Sequence, residues 1–62
     1  MKLYKGMIFH NEHMEPDCLV LEINEKENIL KVEILSKVPW VEDWNLAHYR
    51  IGVLRGDYYI ED

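Results

Sequence analysis

His10-Asn11-Glu12-His13, followed five residues later by Cys18, is the stretch of this chain whose residue types come nearest to chemistry. Two imidazoles three apart and a thiolate are three of the four ligands a tetrahedral zinc needs, with Glu15, Asp17 or His48 as a fourth. The spacing argues against a zinc-protease site. That site places its glutamate directly after the first histidine and its second histidine four residues on, along a helix. Here the interval is three and HNEHMEP, running into Pro16, reads as a polar loop. The ordinary reading is two solvent-facing histidines and a core cysteine, with a metal site using His10, His13 and Cys18 as the alternative.

Other catalytic constellations are weaker still. Ser36 is the only serine, threonine is missing, and no glycine elbow surrounds Ser36. Cys18 stands between Asp17 and Leu19 in an apolar alternation, where burial raises a thiol pKa rather than activating the sulfur. The carboxylate pairs Glu12/Glu15, Glu25/Glu27, Glu42/Asp43 and Glu61/Asp62 would need a cleft to push their pKa values apart. Gly6, Gly52 and Gly56 are isolated, so no phosphate-cradling loop is present. The expectation is a protein that is not an enzyme and needs no cofactor.

The aromatic residues carry more information. Five of the seven fall in the last third: Trp40, Trp44, Tyr49, Tyr58 and Tyr59. Packing alone could claim them, since a small domain fills its core with large side chains. However, Tyr58 and Tyr59 are adjacent in an expected strand and must face opposite ways. Trp40 and Trp44 are not both expected to be buried. Exposed Trp and Tyr beside Arg are the usual anchors of protein interfaces. The candidate partner-binding residues are therefore Trp40, Tyr49, Arg55, Tyr58 and Tyr59.

Length and charge bound these readings. Sixty-two residues make one domain, spanning residues 1–62. A chain this short buries only about 60% of its unfolded surface. Its composition, 48% hydrophobic and 31% charged, is globular. A single cysteine points to a reducing, cytoplasmic compartment. Neither a signal peptide nor a membrane-spanning stretch is expected, since Glu22 interrupts Leu19-Val20-Leu21. The net charge of −5, with seven Lys and Arg scattered along the chain, opposes direct contact with nucleic acid and favours basic partners.

The elements that must position these residues follow from periodicity. Lys2 to His10 suits a strand bent at Gly6. Asp17 to Asn24 alternates, with Leu19, Leu21 and Ile23 on one face and Cys18, Val20 and Glu22 on the other. After a Glu25–Asn28 turn, Ile29 to Lys37 alternates again, with Leu30, Val32 and Ile34 on one face and Lys31 and Glu33 on the other, which makes a β-hairpin. From Pro39-Trp40-Val41 onward, Trp44, Ala47 or His48, Ile51 and Leu54 recur at helical spacing, with Asp43 as a candidate N-cap and Gly56 or Gly52 as the terminator. Asp57 to Ile60 closes as a strand. The fold class is mostly β with one short helix: a small SH3-like barrel or strongly bent antiparallel sheet. The rival form is an open sheet with the helix on one face.

The segment Trp40-Val41-Glu42-Asp43-Trp44-Asn45-Leu46-Ala47-His48, with Gly52 and Arg55-Gly56-Asp57-Tyr58, resembles small uncharacterised accessory proteins of bacteriophages and prophages. Two tryptophans, Asn-Leu-x-His and a late Gly-acidic-Tyr carry the resemblance over the last third of the chain. It departs where Ile51, Val53 and Leu54 replace aromatic character. The resemblance implies a compact protein that binds and inhibits or modulates a host protein, such as a defence or nucleic-acid enzyme, and it carries no active-site residues. An oligomer that binds a small ligand or nucleotide between subunits is the alternative, since assembly would make a pocket that one copy is too small to hold.

Overall fold

The computed structural model describes residues 3–60. Five strands, β1 (Ile8–Asn11), β2 (Asp17–Asn24), β3 (Ile29–Ile34), β4 (Trp40–Asn45) and β5 (Tyr58–Ile60), form one antiparallel sheet in the order β4-β3-β2-β1-β5. The helix α1 (Leu46–Arg55) carries the chain from one edge of the sheet to the other.

The expected mostly-β fold with one short helix is the one adopted. Among the described residues β4 and β5 are the two edges, and no ladder closes the sheet. The sheet is nonetheless strongly bent. A flat sheet would hold β4 and β5 roughly 19 Å apart, four strand spacings, yet the rings of Trp44 on β4 and Tyr58 on β5 approach to 5.8 Å. The helix lies across the hollow so formed, against β3, β4 and β5.

The hairpin expected around Glu25–Asn28 is present, with Asn28 in the left-handed region at φ 59°. Its alternation is not strict, however. Val20 pairs with Val32, but Glu22 pairs with Lys31 and Ile23 with Leu30, leaving Leu21 as the extra residue of a β-bulge. Without the bulge, Glu22 would stand opposite the buried Leu30; with it, Ile23 turns to the core beside Leu30. Cys18, Val20, Leu30, Val32 and Ile34 fill the inner face with Met7, Phe9, Leu46 and Tyr49.

Further expectations are corrected. The stretch His10–Pro16 is not all loop, because His10 and Asn11 continue β1 against Asp17 and β5. Bending at Gly6 is as expected, at φ 92°, while the regular strand begins only at Ile8. The largest change concerns 40–45, which form a strand rather than the start of the helix. Trp40 and Trp44 are four apart, a spacing that satisfies a strand's period of two as well as a helical turn. The helix is capped by Asn45, whose Oδ1 accepts from the His48 N–H at 2.9 Å, not by Asp43. Its inner face is Leu46, Tyr49 and Gly52, so Ile51 and Leu54 point outward, Leu54 with 88% exposure.

The start of α1 is held by the distant hairpin turn. The Asn28 carbonyl accepts from the Leu46 N–H and its side chain from the Ala47 N–H, both at 3.0 Å. Two donors that a helix N-terminus leaves unsatisfied are thereby met across the fold. The other end is a Schellman turn: Gly56, at φ 85°, donates to Val53 and Asp57 donates to Gly52.

Candidate functional site

Two surfaces are built with enough particularity to bind something. The first lies where the bent sheet's edges meet under α1. Tyr58 reaches inward from β5 and stacks on Tyr49 of α1, centroids 4.9 Å apart and planes 16° from parallel. Phe9 presents its edge or face to Trp44, Tyr49 and Tyr58 at 5.7, 5.0 and 5.6 Å. Such T-shaped contacts match the positive ring edge to a negative face. Gly52 makes room for this arrangement, because a Cβ there would stand 2.3 Å from Tyr58 Cε2.

Two shallow hollows flank Tyr58. One, about 280 Å³, is bounded by His48, Ile51, Gly52, Arg55, Asp57 and Tyr58. The other, about 250 Å³, lies between Trp44, Asn45, His48, Tyr49 and Tyr58. Tyr49 has only 3% of its surface exposed, and its hydroxyl finds no hydrogen-bond partner among the described residues. Burial, with smaller contributions from Tyr58 and Cys18, pushes this phenol up to about 12, so it remains protonated.

The second surface is the free edge of the sheet. On the inner face of β4 the Glu42 carboxylate accepts from two indoles, Trp40 Nε1–H at 2.6 Å and Trp44 Nε1–H at 2.8 Å. These bonds, Trp40's first and Trp44's second, hold Glu42 below the usual carboxylate range. One side chain thus fixes the two indoles at the same-face positions on either side of it. Trp40 remains 43% exposed all the same, and Leu35, Val38 (80%) and Val41 (53%) accompany it. Leu35 and Val38 lie in the connection between β3 and β4, where the Leu35 N–H donates to the Asp17 carbonyl, while Trp40 and Val41 lie on the unpaired edge strand, which also carries the exposed Asp43.

The partner-binding candidates do not form one patch. Tyr49 and Tyr58 belong to the ring cluster and support the hollow under α1. Arg55 borders that hollow and bonds to Asp57 at 2.6 Å. Asp57 also meets His13 at 3.2 Å; Arg55 first and His13 second lower its pKa. Trp40 stands on the free β4 edge. Tyr59 faces the outer side of β5, over His10 at 5.2 Å. Tyr58 and Tyr59 point to opposite faces as adjacent strand residues must.

His10, His13 and Cys18 are likewise kept apart. His10 lies on the outer face and meets Asp17 at 2.9 Å, His13 is drawn to Asp57, and Cys18 is fully buried on the inner face. Among the described residues no three His, Cys, Asp or Glu side chains converge as a metal site would require. Burial, then the charges of Asp17 and Glu42, pushes the Cys18 thiol up to about 11. Of the carboxylate pairs, Glu25 binds Arg50 through two hydrogen bonds of 3.0 and 2.6 Å. Glu61, Asp62 and Lys2 lie outside the described residues.

No protein-family model, curated protein or solved structure matches this chain. No helix among the described residues is long and apolar enough to cross a membrane. What sequence reasoning missed is Val41 and the role of Glu42 on β4, and Leu35 and Val38 in the connection leading into it. The signal was available in the alternation Trp40-Glu42-Trp44, polar between two aromatics at strand spacing.

Proposed function

We propose that this chain is a non-enzymatic protein-binding module whose contact surface is the Leu35–Val41 segment with the free edge of β4. The observation that carries this reading is the exposure of Trp40 and Val41 on the unpaired edge strand, with Leu35 and Val38 exposed in the connection that leads into it. An apolar edge strand attracts another chain, and exposed apolar side chains supply the contact area. Glu42 supports the reading by fixing the Trp40 indole in place, which lowers the entropy a partner must remove on binding. The buried, protonated thiol and the contacts of His10 with Asp17 and of His13 with Asp57 suit structural roles better than catalytic ones.

The phage-type resemblance suggests the biological setting: an accessory protein that inhibits or modulates a host protein. The net charge of −5 favours a partner with a basic surface, such as a defence or nucleic-acid enzyme. The alternative, an oligomeric small-ligand binder, draws on the hollow around Tyr58 and the orphaned Tyr49 hydroxyl. The test is affinity capture from a host lysate by the native chain and by Val38→Asp and Trp40→Ser variants with unchanged melting. Capture of one protein at fixed stoichiometry, lost in both variants, supports the proposal. Capture undisturbed by either variant, or a self-assembled species carrying a small molecule, contradicts it.

A further inference from the structure

The chemistry of the β4 edge specifies more than an apolar contact. An edge strand offers a row of backbone donors and acceptors, and a partner supplied as an extended segment satisfies them by becoming a sixth strand. β4 is six residues long, enough for such pairing, whereas the opposite edge, β5, has only three. The side chains then set which sequence fits. From the pairings of β4 with β3, Trp40, Glu42 and Trp44 stand on the inner face, while Val41, Asp43 and Asn45 stand on the outer face.

On the inner face both Glu42 oxygens already accept indole N–H groups. On the outer face Asp43 is exposed and joins no ion pair among the described residues. Glu33, the β3 partner of Val41, adds a second carboxylate to that face, against the single cation Lys31 beside Asp43. β4 itself contains no Lys or Arg. An added strand therefore meets an apolar position at Val41 and an anionic one two residues on at Asp43, with Trp40 offering an aromatic surface on the other face.

Charge also argues against a second copy as the occupant. Two β4 strands paired antiparallel about a two-fold axis near the strand's centre bring Glu42 opposite Glu42 or, in the neighbouring register, Asp43 opposite Asp43. Like charges directly opposite one another destabilise a strand pair. Resting on the protein-binding reading above, we propose that β4 captures its partner by strand addition. The occupant is an extended protein segment in which an apolar residue and a Lys or Arg stand two positions apart, aligned with Val41 and Asp43.

The test uses the isotope-labelled full chain and three capped eight-residue peptides: a Val-Ser-Lys-Ser repeat, which sets Val and Lys two positions apart on one face, a Val-Ser-Glu-Ser repeat, and a Val-Lys-Ser-Ser repeat that has the composition of the first but never sets Val and Lys two apart. The Val-Ser-Lys-Ser peptide is expected to shift backbone amides within residues 38–45 and to bind more tightly than both others. Asp43→Lys should weaken it about fivefold or more and improve the Val/Glu peptide, since opposite-charge cross-strand pairs are favourable and like pairs are not. Equal binding of the Val-Ser-Lys-Ser and Val-Lys-Ser-Ser peptides, or shifts that avoid residues 38–45, would overturn strand addition. So would an affinity indifferent to Asp43→Lys. If lysate capture is lost in the Val38→Asp and Trp40→Ser variants while the peptide result is negative, the contact surface stands and only strand addition fails. If capture survives those variants, the surface itself is wrong.

Discussion

Gly52 sets two physical effects against each other, and their sizes decide the outcome of Gly52→Ala. In an exposed helix interior the substitution gains about 1 kcal/mol from helix propensity. Here the new Cβ would lie 2.3 Å from Tyr58 Cε2, 2.9 Å from Cδ2 and 3.2 Å from Cζ. The ring must leave, because its neighbours Tyr49, Phe9 and Trp44 occupy the space around it. Its three ring contacts are each worth about 0.5–1.5 kcal/mol. After the propensity gain, the net loss is about 0.5–3.5 kcal/mol, and for a domain of this size each kcal/mol moves Tm by roughly 4–8 °C. Thermal melts followed by circular dichroism read this directly. A double-mutant cycle isolates the cause: in a Tyr58→Ala background, Gly52→Ala should become neutral or stabilising. A rise in Tm from Gly52→Ala alone, or an equal loss in both backgrounds, would refute the reasoning.

Other perturbations separate the remaining contributions. Asn28→Ala removes the side-chain acceptor for Ala47 N–H and disfavours the positive φ at that turn, so chemical denaturation should show a loss of about 1–2 kcal/mol. Asn28→Gly should recover part of it by restoring the backbone. Glu42 has a depressed pKa in the fold, so its contribution is present above its unfolded value of 4.5 and is lost as pH falls through the lower folded value. Tryptophan emission should therefore titrate with a midpoint below 4.5, and Glu42→Gln should abolish that transition. For Cys18 the sign is opposite: its pKa rises from 9.0 to about 11 on folding, so the unfolded chain loses its proton first and stability falls as pH climbs through that window. A difference of this size costs about 1.4 kcal/mol by pH 10, which Cys18→Val should remove, as unfolding midpoints at pH 7 and 10 would show.

Legibility in the sequence followed how many physical constraints bore on each segment. Leu30, Val32 and Ile34 alternate cleanly and pair as expected, because a hairpin with one buried face admits a single phase. The bulge at Leu21 was hidden, since it is forced by the partner strand: Ile23 reaches the core only if the register slips. At 40–45 two periods competed, and the i, i+4 spacing of the tryptophans served both. The deciding contacts, Glu42 to both indoles and β4 to β3, are visible only once the strands meet. Ile51 and Leu54 misled for a related reason. They look like a buried helical stripe, but Gly52 lets Tyr58 approach the other side of α1 and makes Leu46, Tyr49 and Gly52 the inner face. For the candidate site, Trp40 was identifiable as an exposed aromatic, whereas its apolar neighbours Leu35, Val38 and Val41 gained meaning only from the free edge beside them.

Backbone amide hydrogen exchange, residue by residue, with and without the captured host protein, tests the central claim most directly. The account predicts slowed exchange at residues 40–45 in the complex, with β5 and α1 unchanged. Protection confined to residues 48–60 while β4 exchanges as freely as before would contradict it and move the binding surface to the hollow around Tyr58.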